Sequence, residues 1–454
     1  MNTQSYPSPE EHKEYLGQFQ INPSRALFTI ILSILVDVFG FSMVMPLLPR
    51  IVIANLGATA LTYGLIISSN AVAILIFGPL WGKLSDRYGR KPILIISQAG
   101  TGAAFLLLAF SNSIPIIFAG RILDGIFSGQ FPIIRAYISD VTTPQTRASQ
   151  MGKIMVGFTG GMIIGPLLGG ILGNIEWWFP MLFAYFLTIL SMILTLTVLV
   201  ESMPKARIKD LKEKRQLRKS ASDIDQKIWS KEVGIRFTQV FIQSLIAIIF
   251  GSSFAYILNE RFQATPLIIG TIMSITGTVL LVYGLFLMKR IIRKIGEKRI
   301  FFSSIIGYII VFMIYPYLNE LWMLYVFMVP YALCMSSIYP LISSNITKAV
   351  GPAKQGTISG WTTNIQSISQ TLSPLIAAWF LQIGGFTIGF IFLNSYQLIG
   401  STNVILSITL FIFAYIDVKK HPRLYSYEKL LRTKEAEKKK SSNDESTVLK
   451  DIHF

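Results

Sequence analysis

The chain carries about twelve apolar runs, each close to the roughly 20 residues that a helix needs to cross a bilayer's hydrocarbon core. They lie at 26–48, 63–81, 93–110, 114–137, 151–172 and 179–200, and then at 237–258, 267–288, 300–317, 321–343, 356–383 and 398–416. A water-soluble domain cannot bury that many long apolar segments, so the expected fold is an all-α integral membrane protein with twelve spans. Gly and Pro inside the runs fit this reading, because neighbouring helices in a membrane bundle re-satisfy the backbone groups they free. Only 14% of residues are charged, against about a quarter in soluble domains. The first 25 residues are polar and the first run is too long for a signal peptide's core, so span one is expected to stay uncleaved.

Several function classes fall away at once. One cysteine, Cys334, permits no internal disulfide framework and no cysteine metal cluster. The three histidines, His12, His421 and His453, all lie in polar terminal segments. No His, Cys or paired-carboxylate constellation suits a catalytic site, so an enzyme is not expected, nor any cofactor or bound metal. The net charge of +17 would fit nucleic acid only if the basic residues shared a folded face. They fall instead in short clusters between apolar runs, the pattern of cytoplasmic loops.

With the N-terminus inside, the outer loops hold only Arg50 and Arg261. The inner side holds Lys83, Arg87, Arg90 and Lys91, six basic residues between Lys289 and Arg299, and the basic stretch after residue 202. This asymmetry predicts a multi-pass protein, of the plasma membrane by default, with both termini cytoplasmic and anionic lipid as neighbour. The division follows: a tail at 1–25, a six-helix bundle at 26–201, a basic linker at 202–233, a second bundle at 234–417, and a charged, disordered tail at 418–454.

The two halves echo each other. Asp86-Arg87-Tyr88-Gly89-Arg90-Lys91 follows span two, and Arg293-Lys294-Ile295-Gly296-Glu297-Lys298 follows span eight. Asp140-Val141-Thr142 and Asn345-Ile346-Thr347 close spans four and ten, while Pro166 and Pro374 lie at matching depth in spans five and eleven. Two pseudo-symmetric bundles around a central cavity are a transporter design, with the site near the bilayer midplane.

The segment Gly82-Lys83-Leu84-Ser85-Asp86-Arg87-Tyr88-Gly89-Arg90-Lys91 resembles the loop signature of the major facilitator superfamily, at the same place between spans two and three. The resemblance implies a gating loop that latches the two bundles while the cavity faces outward. On physical grounds Gly89 gives the turn its backbone freedom, Asp86 can sit at a helix N-terminus, and Arg87 and Arg90 can pair with Asp140. On span five, Gly152, Gly161, Gly165, Pro166, Gly169 and Gly170 are spaced as in the helix motif of proton-linked drug antiporters within that superfamily. Glycines at this spacing allow close backbone packing, and the resemblance implies a seal against proton leak.

Three ionisable groups lie at membrane depth: Asp37 in span one, and Arg121 and Asp124 three residues apart on one face of span four. Charges this deep usually line a cavity or a proton path. The run Asp37–Pro49 resembles span one of tetracycline-type exporters. Arg121 with Gly125 and Gly129 resembles the span-four motif, whose arginine is linked to proton transfer. The family more often has an uncharged polar residue where Asp124 stands. A plain Asp37–Arg121 ion pair joining two helices is the structural alternative.

The second half shows no acid or base within its runs, only polar groups such as Gln243, Tyr256, Asn364 and Gln366, which are expected to shape the substrate pocket. The implied protein is a monomeric 12-span drug:proton antiporter. It would export a small amphipathic or drug-like molecule by alternating access, with the proton gradient as energy source. A uniporter or symporter for an endogenous metabolite, or a transporter-shaped receptor, would use the same architecture.

Overall fold

The computed structural model describes residues 14–18, 23–128, 130–204, 231–348, 355–388 and 391–422. Most of the expected linker and tails therefore lie outside the described residues, as does Gly129. The first half comprises α1 (Pro23–Val44), a π-helical turn (Arg50–Asn55), α2 (Ala60–Tyr88), α3 (Arg90–Ala109), α4 (Ile114–Phe127), α5 (Gln130–Val141), α6 (Pro144–Ile175) and α7 (Phe179–Val198). The second half comprises α8 (Lys231–Phe262), α9 (Pro266–Val282), a π-helical turn (Tyr283–Leu287), α10 (Met288–Ile295), α11 (Glu297–Ile314), α12 (Leu321–Lys348), α13 (Gln355–Ile383) and α14 (Ser395–Lys420).

Local chemistry sets many of these boundaries. Thr59, Thr143 and Thr265 cap α2, α6 and α9 with their side-chain oxygens, and Pro144 and Pro266 then occupy the first turn, where a missing N–H costs nothing. Asn394 and Gln397 form a reciprocal capping box at the start of α14.

Among the described residues, ten helical stretches are long and apolar enough to cross a membrane. Their outward faces are apolar too: Phe183, Phe186, Leu190, Ile193 and Leu196 recur along α7 and are all exposed. A stripe like that belongs in hydrocarbon rather than water.

The two other expected spans differ from simple apolar helices. Span eleven is the 29-residue α13, studded with Ser, Thr and Gln. Span four is broken into α4 and α5 near Ser128. Pro132 explains the break, since its ring displaces the carbonyl four residues earlier and it has no N–H to offer that group. The carbonyls freed at the break find side chains. Trp81 Nε1 donates to Ile126 O at 2.5 Å, and Ser97 Oγ donates to Phe127 O. Irregular backbone is tolerated at membrane depth only when protein satisfies it in this way.

A second departure from the all-helical expectation is a two-stranded antiparallel hairpin, β1 (Gly385–Ile388) and β2 (Ile391–Asn394), between α13 and α14. Its β-branched and aromatic residues favour strand over helix.

Four glycines of the α6 motif lie against other helices. A Cβ at Gly161, Gly165 or Gly169 would collide with α1, at Val38, Ser42 and Met43 respectively. Gly170 instead faces the second bundle, where a Cβ would lie 2.6 Å from Pro266 O. Gly152 has no neighbour within 4 Å. The crossing is reciprocal, because a Cβ at Gly270 of α9 would fall 2.1 Å from Pro166 O. Gly270→Val should therefore lower thermal stability by about 1–3 kcal/mol, as overpacked cores do. Gly284→Val, in open space, should leave the unfolding midpoint of the purified protein unchanged.

Candidate functional site: buried charges and the cleft between the bundles

At one end of the molecule the loop between α2 and α3 forms a basic cluster. Gly89 adopts φ +104°, a conformation that side chains other than glycine's rarely accept. Arg90, 5% exposed, donates from Nε to Asp140 at 3.0 Å and from Nη1 to Ser85 Oγ at 2.6 Å, and pairs with Asp86. Lys91 donates to Leu196 O, and Arg87 stacks on Tyr88 rather than joining Asp140. Gly82 stands in open space.

The N-terminus of α3 is held by an acid absent from the sequence reading. Glu201 accepts from the backbone N–H groups of Arg90 (2.8 Å), Lys91 (2.9 Å) and Met203 (2.8 Å), whereas the Asp86 side chain is 66% exposed. The signal was available, since Glu201 is the acid that closes span six at an otherwise basic end. Glu201→Ala should cost about 1–2 kcal/mol in thermal unfolding, the range of a charged helix cap.

The second bundle repeats this arrangement with reversed signs. Gly296 has φ +94°, Glu297 opens α11, and Lys348 at the end of α12 donates to it at 2.9 and 3.0 Å. Arg236 of α8 and Asp417 of α14, both fully buried, form a further two-pronged pair at 3.0 and 3.1 Å. The second half, whose runs hold no acid or base, thus carries a buried ion pair at their edges. Both residues lie just beyond the apolar runs, but their helices extend past those runs and draw them inward.

The deep charges do not form the Asp37–Arg121 pair of the structural alternative. Arg121 Nη1 donates to Asp124 Oδ2 at 3.0 Å, with both side chains almost fully buried. Asn70 of α2 donates to the same Asp124 oxygen (2.9 Å) and to Arg121 O (3.0 Å). The guanidinium also lies 5.5 Å from the Phe41 ring centre. So the Arg121–Asp124 pair is closed on itself, and the Asp37–Arg121 pair does not form.

Asp37 is only partly buried, and its Oδ1 accepts from Gln130 Nε2 at 2.8 Å. Gln130 is the first residue after the break in span four. The break thus presents a donor to Asp37, the less buried of the two deep carboxyls.

Between the bundles, Tyr63 OH donates to Ser252 O at 3.2 Å and its ring packs against Tyr256, 5.8 Å between centres. Leu61 N donates to Gln382, and Ser274 Oγ to Ile163 O. These contacts lie away from the basic cluster. Nearer the basic cluster, the described cross-bundle hydrogen bond is Arg135 to Thr363, at 3.4 Å.

Of the predicted pocket residues, Asn364 is exposed on α13 and Gln366 half-buried there. Gln243 lies inside the second bundle rather than on the cleft, where it donates to Tyr308 of α11 at 3.2 Å. Among the described residues no group of His, Cys, Asp and Glu could hold a metal ion.

This architecture agrees with the comparison of the sequence against known families. The model for the Major Facilitator Superfamily matches residues 30–258 and again residues 236–448. The chain belongs to the major facilitator superfamily. As a member it is a membrane transporter of small molecules rather than an enzyme. Similar relatives include the tetracycline resistance protein, class H, of Pasteurella multocida, 26% identical over 361 residues, which are 78% of this chain and 89% of that protein. Multidrug resistance protein 2 of Bacillus subtilis is 25% identical over 360 residues, with the same two shares.

Solved superfamily structures superpose along nearly the whole chain. The human organic anion transporter MFSD10 (TETRAN) is 20% identical, with a TM-score of 0.64 over 87% of this chain and 100% of its own. A bacterial homologue of the human lysosomal transporter Spinster, inward-facing and occupied, reaches 0.69 at 13% identity, over 92% of this chain and 99% of its own. At those identities the likeness establishes the fold alone.

Proposed function

We propose that this superfamily member is a proton-coupled antiporter that exports a small amphipathic or drug-like molecule. The names of its tetracycline and multidrug relatives point the same way. The observation that carries the reading is the division of labour among the deep charges. Arg121 is neutralised in place by Asp124, so a cation is not left facing the cleft at that depth. Asp37 is only partly buried, has no cationic partner among the described residues, and accepts a hydrogen bond from a neutral amide. A carboxyl in that setting can take up and release a proton without breaking an ion pair.

In the proposed cycle, protonation of Asp37 from the outer side removes its charge and displaces the substrate, and deprotonation on the inner side restores the site. The basic end is read as cytoplasmic from the positive-inside rule. The packing of Tyr63 on Tyr256 and of α6 on α9 then supports an inward-facing arrangement with its outer side shut. In this arrangement the loop cluster at Arg90 binds within its own bundle, as a released latch would.

The test is substrate flux in proteoliposomes with an imposed pH gradient, using a tetracycline and a lipophilic dye as probes. Proton antiport predicts uphill accumulation that collapses when an ionophore abolishes the gradient. Exchange that ignores the gradient would assign the chain to facilitated transport instead.

A further inference from the structure

The three buried arginines are each neutralised: Arg90 by Asp140 and Asp86, Arg121 by Asp124, Arg236 by Asp417. Arg135 of α5 is different. No carboxylate among the described residues lies within ion-pairing distance of it, and one N–H of its five is engaged, in the long bond to Thr363. Its side chain is exposed, on the side of α5 that faces α13 of the second bundle.

Phe131 of α5 lies under the guanidinium at 4.6 Å, and Phe158 of α6 packs edge-on against Phe131 at 6.2 Å. From the other bundle, α13 contributes Thr363, and α12 brings Tyr339 within electrostatic range. The guanidinium is thus stacked, oriented and uncompensated, in the space between the bundles rather than on the lipid face.

A planar fork with unused donors matches a carboxylate or sulfonate, and the adjoining rings offer an apolar wall for a flat hydrocarbon body. We infer that Arg135 is a substrate-docking residue that binds the anionic group of an amphipathic aromatic molecule, with Phe131 and Phe158 beneath the rest of it. This inference names the substrate class of the transport reading above and rests on it for the direction of movement. The docking itself stands without that reading. Asp37 of α1 bonds Gln130 at the start of α5, the helix that carries Arg135.

The experiment uses the full chain, purified in an uncharged detergent so that no lipid phosphate competes. Binding of 5-carboxyfluorescein, an aromatic anion, is followed by fluorescence anisotropy alongside ethidium, an aromatic cation. Arg135→Gln should weaken carboxyfluorescein binding about tenfold or more, the usual weight of a charge-assisted hydrogen bond. Arg135→Lys should fall between the two, and ethidium affinity should not drop. An unchanged unfolding midpoint shows that the variants are folded.

The proposal is overturned if wild type fails to bind carboxyfluorescein, if Arg135→Gln binds it as well as wild type, or if both dyes weaken together. Flux separates this inference from the transport reading. Arg135-dependent binding without movement of any probe through liposomes would retain the docking site and remove the antiport assignment.

Discussion

Asp37→Asn should abolish gradient-driven accumulation of substrate, reducing it to the level of protein-free liposomes, while substrate-for-substrate counterflow at equal pH persists. The reason lies in what the amide imitates. Asparagine resembles the protonated carboxyl in size and charge, and it cannot give up a proton at the inner side. The cycle then lacks the step in which the gradient enters. The site itself should survive, because Asp37 accepts one hydrogen bond, from the neutral amide of Gln130, and an asparagine oxygen can accept it too. Asp37→Glu should keep coupling at a reduced rate. Parallel measurement of uphill uptake and counterflow decides the matter. Full uphill uptake by Asp37→Asn would move the proton site elsewhere, with Asp124 the next residue to test.

Arg121→Met should be the most destabilising single change in the first bundle, at about 3–5 kcal/mol. That is the range for stranding one member of a buried ion pair. Asp124 would retain Asn70 as a donor, but in near-complete burial it would have no cation left. The double variant Arg121→Met/Asp124→Leu should recover most of the loss, since well-packed apolar residues commonly replace such a pair at little cost. Asn70 would still donate to the backbone carbonyl of residue 121. Thermal unfolding of wild type, both single variants and the double variant closes the cycle. If the double variant were no more stable than Arg121→Met alone, the pair would not be the energetic unit the geometry indicates.

Much of this molecule can be read from its sequence because hydrocarbon imposes so simple a rule on composition. The run lengths locate the membrane helices, and the spacing of Gly161, Gly165 and Gly169 anticipates the face that α6 turns to α1. Partner choice is less legible. From sequence, a pairing of Arg121 with Asp37 across two helices and one with Asp124 along its own helix face both stay open. The partner of Arg121 proves to be its near neighbour on the same helix.

The break in span four had a sequence cause in Pro132. Its consequence, an amide delivered to Asp37, depends on how α5 is set against α1. Glu201 and the Arg236–Asp417 pair sit at run boundaries, where hydropathy carries no information about burial. The hairpin at Gly385–Asn394 hides for the opposite reason, because short β-branched and aromatic stretches look alike in helix and strand.

The two loop clasps, Arg90 with Asp140 and Glu297 with Lys348, put opposite charges on equivalent helix ends. If both halves descend from one duplicated segment, the exchange cannot have been made in a single substitution. Any one-residue intermediate leaves either two like charges facing each other or a lone charge without its mate. Both clasps are largely shielded from water, with side chains 6% and 16% exposed at Arg90 and Asp140 and 17% and 14% at Lys348 and Glu297, so neither half offered a well-solvated route through such an interval.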